Sequence, residues 1–77
     1  MRSMEEIAIK KSDRLLGWLR SRGIRHPVPY LRDKLGKTRS TVYEWLSDMD
    51  AGDVVKASRF IEVVREIDPA AVDQVFR

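Results

Sequence analysis

Residues that stop helices divide this chain into short stretches at regular intervals. Glycines at 23, 36 and 52 and prolines at 27, 29 and 69 mark the breaks. Between the breaks, apolar residues recur at helical spacing, and no stretch alternates apolar and polar residues as a half-buried strand does. The pattern predicts an all-α domain of five helices. Because 77 residues provide one hydrophobic core and not two, residues 1–77 are expected to form a single domain.

The first helix is predicted to run from Ser3 to near Arg22. Ser3 and Glu6 have the spacing of a capping box, in which each side chain accepts from a free amide of the first turn. Gly23 is placed to end the helix in the left-handed conformation. The expected apolar stripe consists of Met4, Ala8, Leu15 and Leu19, widened by Ile7, Leu16 and Trp18.

The second and third helices are predicted to meet at the segment 36–38. Helix 2 begins in the segment 27–29, where a proline fits the first turn, and stops at Gly36 with Leu31 and Leu35 on one side. Thr38 offers a hydroxyl N-cap for helix 3. The expected core face of helix 3 holds Val42, Trp45 and Leu46.

Aspartates are predicted to cap the last two helices. Asp53 opens helix 4, whose expected apolar stripe is Val54, Ala57, Ile61 and Val64, with Phe60 and Ile67 beside it. Asp68 caps helix 5, Pro69 is its first residue, and Ile67 packs onto Val72 as a hydrophobic staple.

Charge is divided along the length of the chain. Residues 1–47 hold 11 Lys/Arg against 5 Asp/Glu, whereas residues 48–77 hold 4 against 7. A basic front half suits a module that presents one face to a polyanion. The alternative is ordinary solvated surface charge, to which the charge pattern alone gives equal weight.

Several function classes are not expected. The absence of cysteine excludes a disulfide framework and a thiolate metal site, and fits a reducing cytoplasm of a bacterial or phage-infected cell. No apolar run is long enough to span a membrane, and the first residues do not form a signal peptide. The sequence holds no phosphate-binding glycine loop and no Ser/His/Asp set, so neither an enzyme nor a cofactor is expected.

The segment 29–48 carries the clearest motif. Leu31 and Leu35 precede Gly36, Thr38 follows as a cap, and Val42 and Trp45 come next at core spacing. This pattern resembles the helix-turn-helix of phage repressors and Cro-like regulators. The resemblance implies a lambda-repressor-like fold, in which the helix over 38–48 enters the major groove of DNA.

The sequence departs from that pattern at two residues. Arg32 stands where the family usually has a small residue, and Lys37 stands where an aliphatic residue usually follows the glycine. Both add positive charge near the predicted DNA face. For Arg32 the alternative is a stem laid across the core with its head in water.

The face of helix 3 opposite its core face holds the candidate base readers. The predicted base-reading set is Thr38, Arg39, Ser40, Tyr43, Glu44 and Ser47. Arginine can bond guanine bidentately, and glutamate can accept from cytosine. The alternative is a solvated helix face on which Arg39 and Tyr43 merely pack.

Basic residues around the motif are the candidate contacts to the DNA backbone. The predicted set is Lys34, Lys37, Arg32, Lys10, Lys11, Arg14 and Arg25. His26 stands alone, so a loop or capping position is favoured over a metal ligand or catalytic base.

Beyond the motif, the layout of residues 29–77 is similar to the CII family of phage transcriptional activators. That resemblance implies operator or promoter DNA as partner, with RNA polymerase as a further one, and a C-terminal region that builds the oligomer. Helices over 53–77 are the expected oligomerisation region. Val72, Val75 and Phe76 fall on one side of helix 5 and are the expected interface; the alternative is that they close the core of the monomer.

A second function class remains open at this point. The chain could be a helical protein-interaction module, an adaptor or inhibitor that docks an acidic protein through its basic face. Tyr43 and Trp45 would then form the anchor. The turn at Gly36 and Thr38 argues for the DNA-binding interpretation.

Overall fold

The computed structural model describes residues 9–77, which form five α-helices and contain no strand. In chain order the elements are α1 (Lys11–Ser21), α2 (Pro27–Leu35), α3 (Arg39–Asp50), α4 (Val54–Ile67), a 3-10 turn (Pro69–Ala71) and α5 (Val72–Val75). The all-α prediction is confirmed for this part of the chain. The predicted capping box and the first three residues of the predicted stripe, Met4, Ile7 and Ala8, lie outside the described residues.

Side-chain caps begin α3 and the 3-10 turn. Thr38 has extended backbone angles, and its Oγ1 accepts from the backbone N–H of Thr41 at 3.3 Å. Asp68 accepts from the backbone N–H of Ala70 at 3.1 Å. Both caps were predicted from the sequence, and both satisfy donors that a helix start leaves free.

Asp53 caps α4 through two backbone donors. Its Oδ1 accepts from the N–H of Val55 at 3.0 Å and from the N–H of Lys56 at 3.1 Å. The hydrogen bond from the Lys56 amide is the main cause that lowers the pKa of Asp53 below its ordinary value, and the nearby Lys56 ammonium lowers the pKa further. The cap therefore favours the ionised carboxylate.

The turn between α2 and α3 depends on a glycine with positive φ. Gly36 has φ 67° and ψ 34°, in the left-handed region. Its N–H and that of Lys37 both donate to the carbonyl oxygen of Arg32, at 2.8 and 3.2 Å. A side chain at position 36 would strain this conformation, so the turn requires glycine.

The core lies where α3 packs against α1, α2 and α4. α5 and the 3-10 turn close it from the C-terminal side. The buried apolar residues are Leu15, Leu19, Leu31, Val42, Leu46, Met49, Phe60, Val63, Val64, Ala71 and Val75. Trp18 and Trp45 are half-buried against this cluster, so their prediction as core residues is confirmed only in part.

The predicted first helix ends near Arg22 before a left-handed Gly23, as expected, but its predicted continuation through residues 9 and 10 is wrong. Lys10 has extended backbone angles and α1 begins at Lys11. The reason is a tertiary cap: the carboxylate of Asp50, at the end of α3, accepts from the backbone N–H of Ser12. This long-range contact satisfies the first turn of α1 and fixes its start.

Two other expectations need correction. The buried stripe of α4 is Phe60, Val63 and Val64, while Val54 is 78% exposed. Phe60 and Val64 of the predicted set are buried, and Ala57 and Ile67 are half-buried against the core. Val54 is wrong because it is the first helical residue and lies at the exposed end of the helix. Helix 5 begins as a 3-10 turn and completes only one α-helical turn.

None of the helices within residues 9–77 is both long enough and apolar enough to cross a bilayer.

Candidate nucleic-acid interface

α3 separates a buried face from a polar exposed face, as predicted. Val42, Leu46 and Met49 are buried, and Trp45 is half-buried beside them. The residues exposed on the other side are Arg39, Ser40, Tyr43, Glu44 and Ser47. Five potential hydrogen-bonding side chains therefore share one surface of a helix that the core holds in place.

Two of these residues contact each other along the helix. The guanidinium carbon of Arg39 lies 5.6 Å from the ring centroid of Tyr43, one helical turn later. Tyr43 is 46% exposed, so the pair lies at the surface. The contact fits the alternative in which Arg39 and Tyr43 merely pack on a solvated helix face. It also holds the Arg39 guanidinium beside the Tyr43 ring.

Thr38 differs from the other predicted readers. Its hydroxyl accepts from the Thr41 amide and donates to the Thr41 hydroxyl at 3.1 Å. The side chain is exposed, but these two bonds engage it in the cap of α3.

A cleft of about 260 Å³ separates the exposed face of α3 from the start of α1. Tyr43 and Ser47 line it from α3, and Lys10 and Asp13 line it from the other side. The structure therefore brings one predicted backbone-contacting lysine next to two predicted base readers.

A second cleft, of about 350 Å³, lies between α2, α3 and α4. It is lined by Lys34, Leu35, Lys37, Trp45, Arg59 and Glu62. The ammonium nitrogen of Lys37 lies 5.5 Å from the centroid of the Trp45 ring, and that of Lys56 lies 5.7 Å from it. Trp45 is thus close to two cations, a geometry in which the ring attracts positive charge.

Ion pairs link the basic and acidic halves of the sequence. Arg22 pairs with Asp68 at 3.4 Å, and Lys34 pairs with Glu66 at 3.4 Å. Part of the basic charge of the front half is therefore matched by acidic residues of the back half. Among the predicted backbone contacts, Lys34 is the one with an ion pair inside residues 9–77.

The remaining predicted backbone contacts are spread over the molecule. Arg32 is exposed and lines a cleft with Lys37. Arg14 instead lies near Gln74 and Arg77 at the C-terminal end of the chain. Lys11 is half-buried at the start of α1, and Arg25 is exposed in the connection between α1 and α2.

His26 occupies the N-cap position of α2 without a side-chain capping bond. This is the loop or capping position that the sequence favoured. Within residues 9–77, no three metal-ligating side chains come together in a group that could hold a metal ion.

No protein-family model matches the chain, and no curated protein sequence or solved structure matches it either.

The predicted oligomer interface divides into two parts. Val75 is 1% exposed in the single chain and belongs to its core, as the alternative for helix 5 required. The interface assignment of Val75 therefore needs correction, because the core of the monomer already covers its side chain. Val72 and Phe76 are half-buried against the same cluster.

Sequence reasoning did not find three residues of this region. Arg59 of α4 lines the same cleft as Lys37, Lys56 lies near Trp45, and Asp50 bonds Ser12. Each contact joins residues of different elements, which helical periodicity within one element does not relate. Arg59 is exposed on α4, and no local sequence signal shows which neighbouring helix it faces.

Proposed function

We propose that this chain is a sequence-specific regulator that binds duplex DNA with α3 in the major groove. The observation that carries the proposal is the exposed face of α3, which presents Arg39, Ser40, Tyr43, Glu44 and Ser47. The core fixes the opposite side of the helix. A rigid helix with a row of exposed hydrogen-bonding side chains fits the groove and can read base edges.

The start of α3 supports the same proposal. α2 ends in a left-handed glycine, Thr38 caps the next helix, and Arg39 and Ser40 follow in its first turn. In a helix-turn-helix, residues in this first turn reach the bases, and the helix dipole favours a nearby phosphate. Arg39 would bond guanine and Glu44 would accept from cytosine.

Backbone contacts would come from both sides of α3. Lys10 lies in the cleft beside Tyr43, and Lys37 lies in the cleft beside Trp45. One helix contacts only a few base pairs, so we propose that two or more copies bind together and read half-sites about one helical turn apart. A phage-type regulator of this kind would act on operator or promoter DNA in the cytoplasm, with RNA polymerase as a further partner.

The test is a selection of bound fragments from random duplex DNA, followed by titration of the selected site at several salt concentrations. If each subunit neutralises about four phosphates, a dimer gives a log–log salt slope near −7. Enrichment of one sequence together with a steep slope supports the proposal. A slope near zero would refute DNA binding altogether.

A second candidate is a protein-interaction module, favoured by the exposed valines at the start of α4. Val54 is 78% and Val55 58% exposed. Against this candidate, Trp45 is half-buried beneath Lys37 and Lys56, so it does not form the open anchor that an interface of this kind uses. A gel shift with bulk genomic DNA separates the two functions, since only the DNA-binding module retards the fragments.

A further inference from the structure

We propose that the cleft between α2, α3 and α4 binds a phosphate of the DNA backbone, with Lys37 and Arg59 as its ligands. This inference rests on the proposed DNA-binding function and adds a site to it. The cleft holds about 350 Å³ and lies outside the exposed face of α3. Arg59 is supplied by α4, which carries none of the predicted DNA contacts.

The pairing of the surrounding cations points to these two residues. Lys34 pairs with Glu66 at 3.4 Å, and Lys56 pairs with Asp48 and with Asp53, each at 3.6 Å. Within residues 9–77, neither Lys37 nor Arg59 has a carboxylate within ion-pair distance. Two of the cations near Trp45 are therefore neutralised by the protein, and the charge of the other two is left for an external anion.

Glu62 is the opposing charge in the cleft. It lines the wall beside Arg59, three residues away on α4, but forms no ion pair with it. The Glu62 carboxylate repels an incoming phosphate. The positive charges of Lys37 and Arg59 must therefore outweigh this one negative charge when an anion binds. Removal of the Glu62 charge should strengthen binding, which gives the site a test of opposite sign.

The position of Lys37 favours a phosphate of the DNA backbone as the anion. Lys37 lies two residues before Arg39, the first residue of α3. Phosphates line both edges of the major groove, so a helix inserted there has backbone phosphates next to its first turn. Lys37 is thus the link between the cleft and the docked helix, and Arg59 completes the site from α4.

The experiment compares Arg59→Ala and Lys37→Ala with Arg65→Ala as a matched control. Arg65 is an exposed arginine on the same helix and does not line the cleft. Binding is measured to the selected site and to a random duplex as a function of salt, after circular dichroism has shown native helicity. We expect Arg59→Ala and Lys37→Ala to weaken binding to both duplexes by a similar factor and to reduce the salt slope by about 1.

Two further variants test the same cleft. Arg65→Ala should stay close to the wild type, and Glu62→Gln should bind both duplexes more tightly. If the wild type binds DNA with a steep salt slope but Arg59→Ala and Arg65→Ala behave alike, the cleft assignment is overturned while the DNA-binding function stands. If the wild type binds no DNA, the proposed function fails and the inference fails with it.

Fluorescence of Trp45 distinguishes the sources of the anion. In a Trp18→Phe protein, Trp45 is the one remaining tryptophan, and its emission reports on the nearby lysines. A random duplex should change this emission, and Arg59→Ala should reduce the change, whereas inorganic phosphate alone should leave the emission unchanged. An equal response to inorganic phosphate would assign the cleft to a free anion. A response to polyglutamate but not to DNA would assign it to an acidic protein.

Discussion

Asp50 and Ser12 join the end of α3 to the first turn of α1. The Oδ1 atom of Asp50 accepts from the backbone N–H of Ser12 at 2.9 Å, and its Oδ2 accepts from the Ser12 hydroxyl at 2.5 Å. The two residues are 38 positions apart in the chain. One carboxylate thus caps α1 and fixes α1 against the helix that we propose to read DNA.

Removal of this carboxylate should destabilise the fold. Because it caps a helix through two hydrogen bonds, Asp50→Ala is expected to lower the free energy of unfolding by about 1–2 kcal/mol. Urea denaturation measures the loss, and Asp33→Ala, at an exposed acid of α2, is the control. In a cycle with Ser12→Ala, the two losses should not add, because the two residues share one interaction. Additive losses would show that they act separately.

The Asp50 contact also shows the limit of the sequence prediction. Helix ends marked by local residues were predicted correctly, as at Gly36, Thr38 and Asp53. The start of α1 was not, because its cap comes from another helix. Helical periodicity and capping act within a few residues, whereas tertiary caps depend on how helices pack.

The same limit applies to the candidate site. The exposed face of α3 followed from the 3.6-residue period of a helix, so its five exposed residues could be listed from the sequence as candidate base readers. The residues across the clefts, such as Arg59, could not be assigned to a neighbour in this way. Burial of Val75 was equally beyond the pattern, since an apolar stripe on a terminal helix fits either a core or an interface.

Two glycines should respond in opposite ways to alanine. Gly17 is exposed within α1, and a Cβ there meets nothing within 4 Å. Gly17→Ala should therefore raise the free energy of unfolding by about 0.5–1 kcal/mol. Gly36→Ala should lower it, because Gly36 has φ 67°. Thermal denaturation of both variants tests the pair, and a stabilising Gly36→Ala would contradict a left-handed conformation at this position.

Asp53 should make stability depend on acid. Its pKa in the folded protein is lowered, chiefly by the hydrogen bond from the Lys56 amide. The Asp53 carboxylate therefore binds a proton more readily in the unfolded chain than in the folded protein. Its contribution to stability is complete above the pKa of Asp53 in the unfolded chain, and it is lost as pH falls through the pKa of Asp53 in the folded protein. Asp53→Asn keeps a capping oxygen that does not titrate. Melting temperatures measured down an acid series should fall less for Asp53→Asn than for the wild type, and parallel curves would contradict this role.

Base preference should depend on the first turn of α3. Arg39 and Ser40 are exposed there, so their replacement by alanine leaves the core intact. Each variant is expected to lose about 1–3 kcal/mol of binding free energy on the selected site and little on random DNA. Competition assays with both duplexes measure the difference. If Arg39→Ala weakens both duplexes equally, Arg39 is a backbone contact and not a base reader.

Association of subunits should depend on the outer side of α4, where Val55 is 58% exposed and next to Val54. We expect Val55→Asp to convert the proposed dimer to a monomer in sedimentation experiments while native helicity is kept, because an exposed side chain contributes little to the core. When two subunits are coupled, the binding of the second subunit to DNA becomes intramolecular, which raises affinity by roughly 100-fold. Val55→Asp should therefore bind the selected site roughly 100-fold more weakly than the wild type. Ile9→Asp places the same charge at another exposed apolar residue, 49% exposed and outside residues 53–77, and should leave the proposed dimer intact. Phe76→Asp tests the C-terminal contribution in parallel. Since Phe76 is half-buried against the core, loss of helicity in that variant would assign Phe76 to the monomer, and a wild type that sediments as a monomer at high concentration would refute the oligomer.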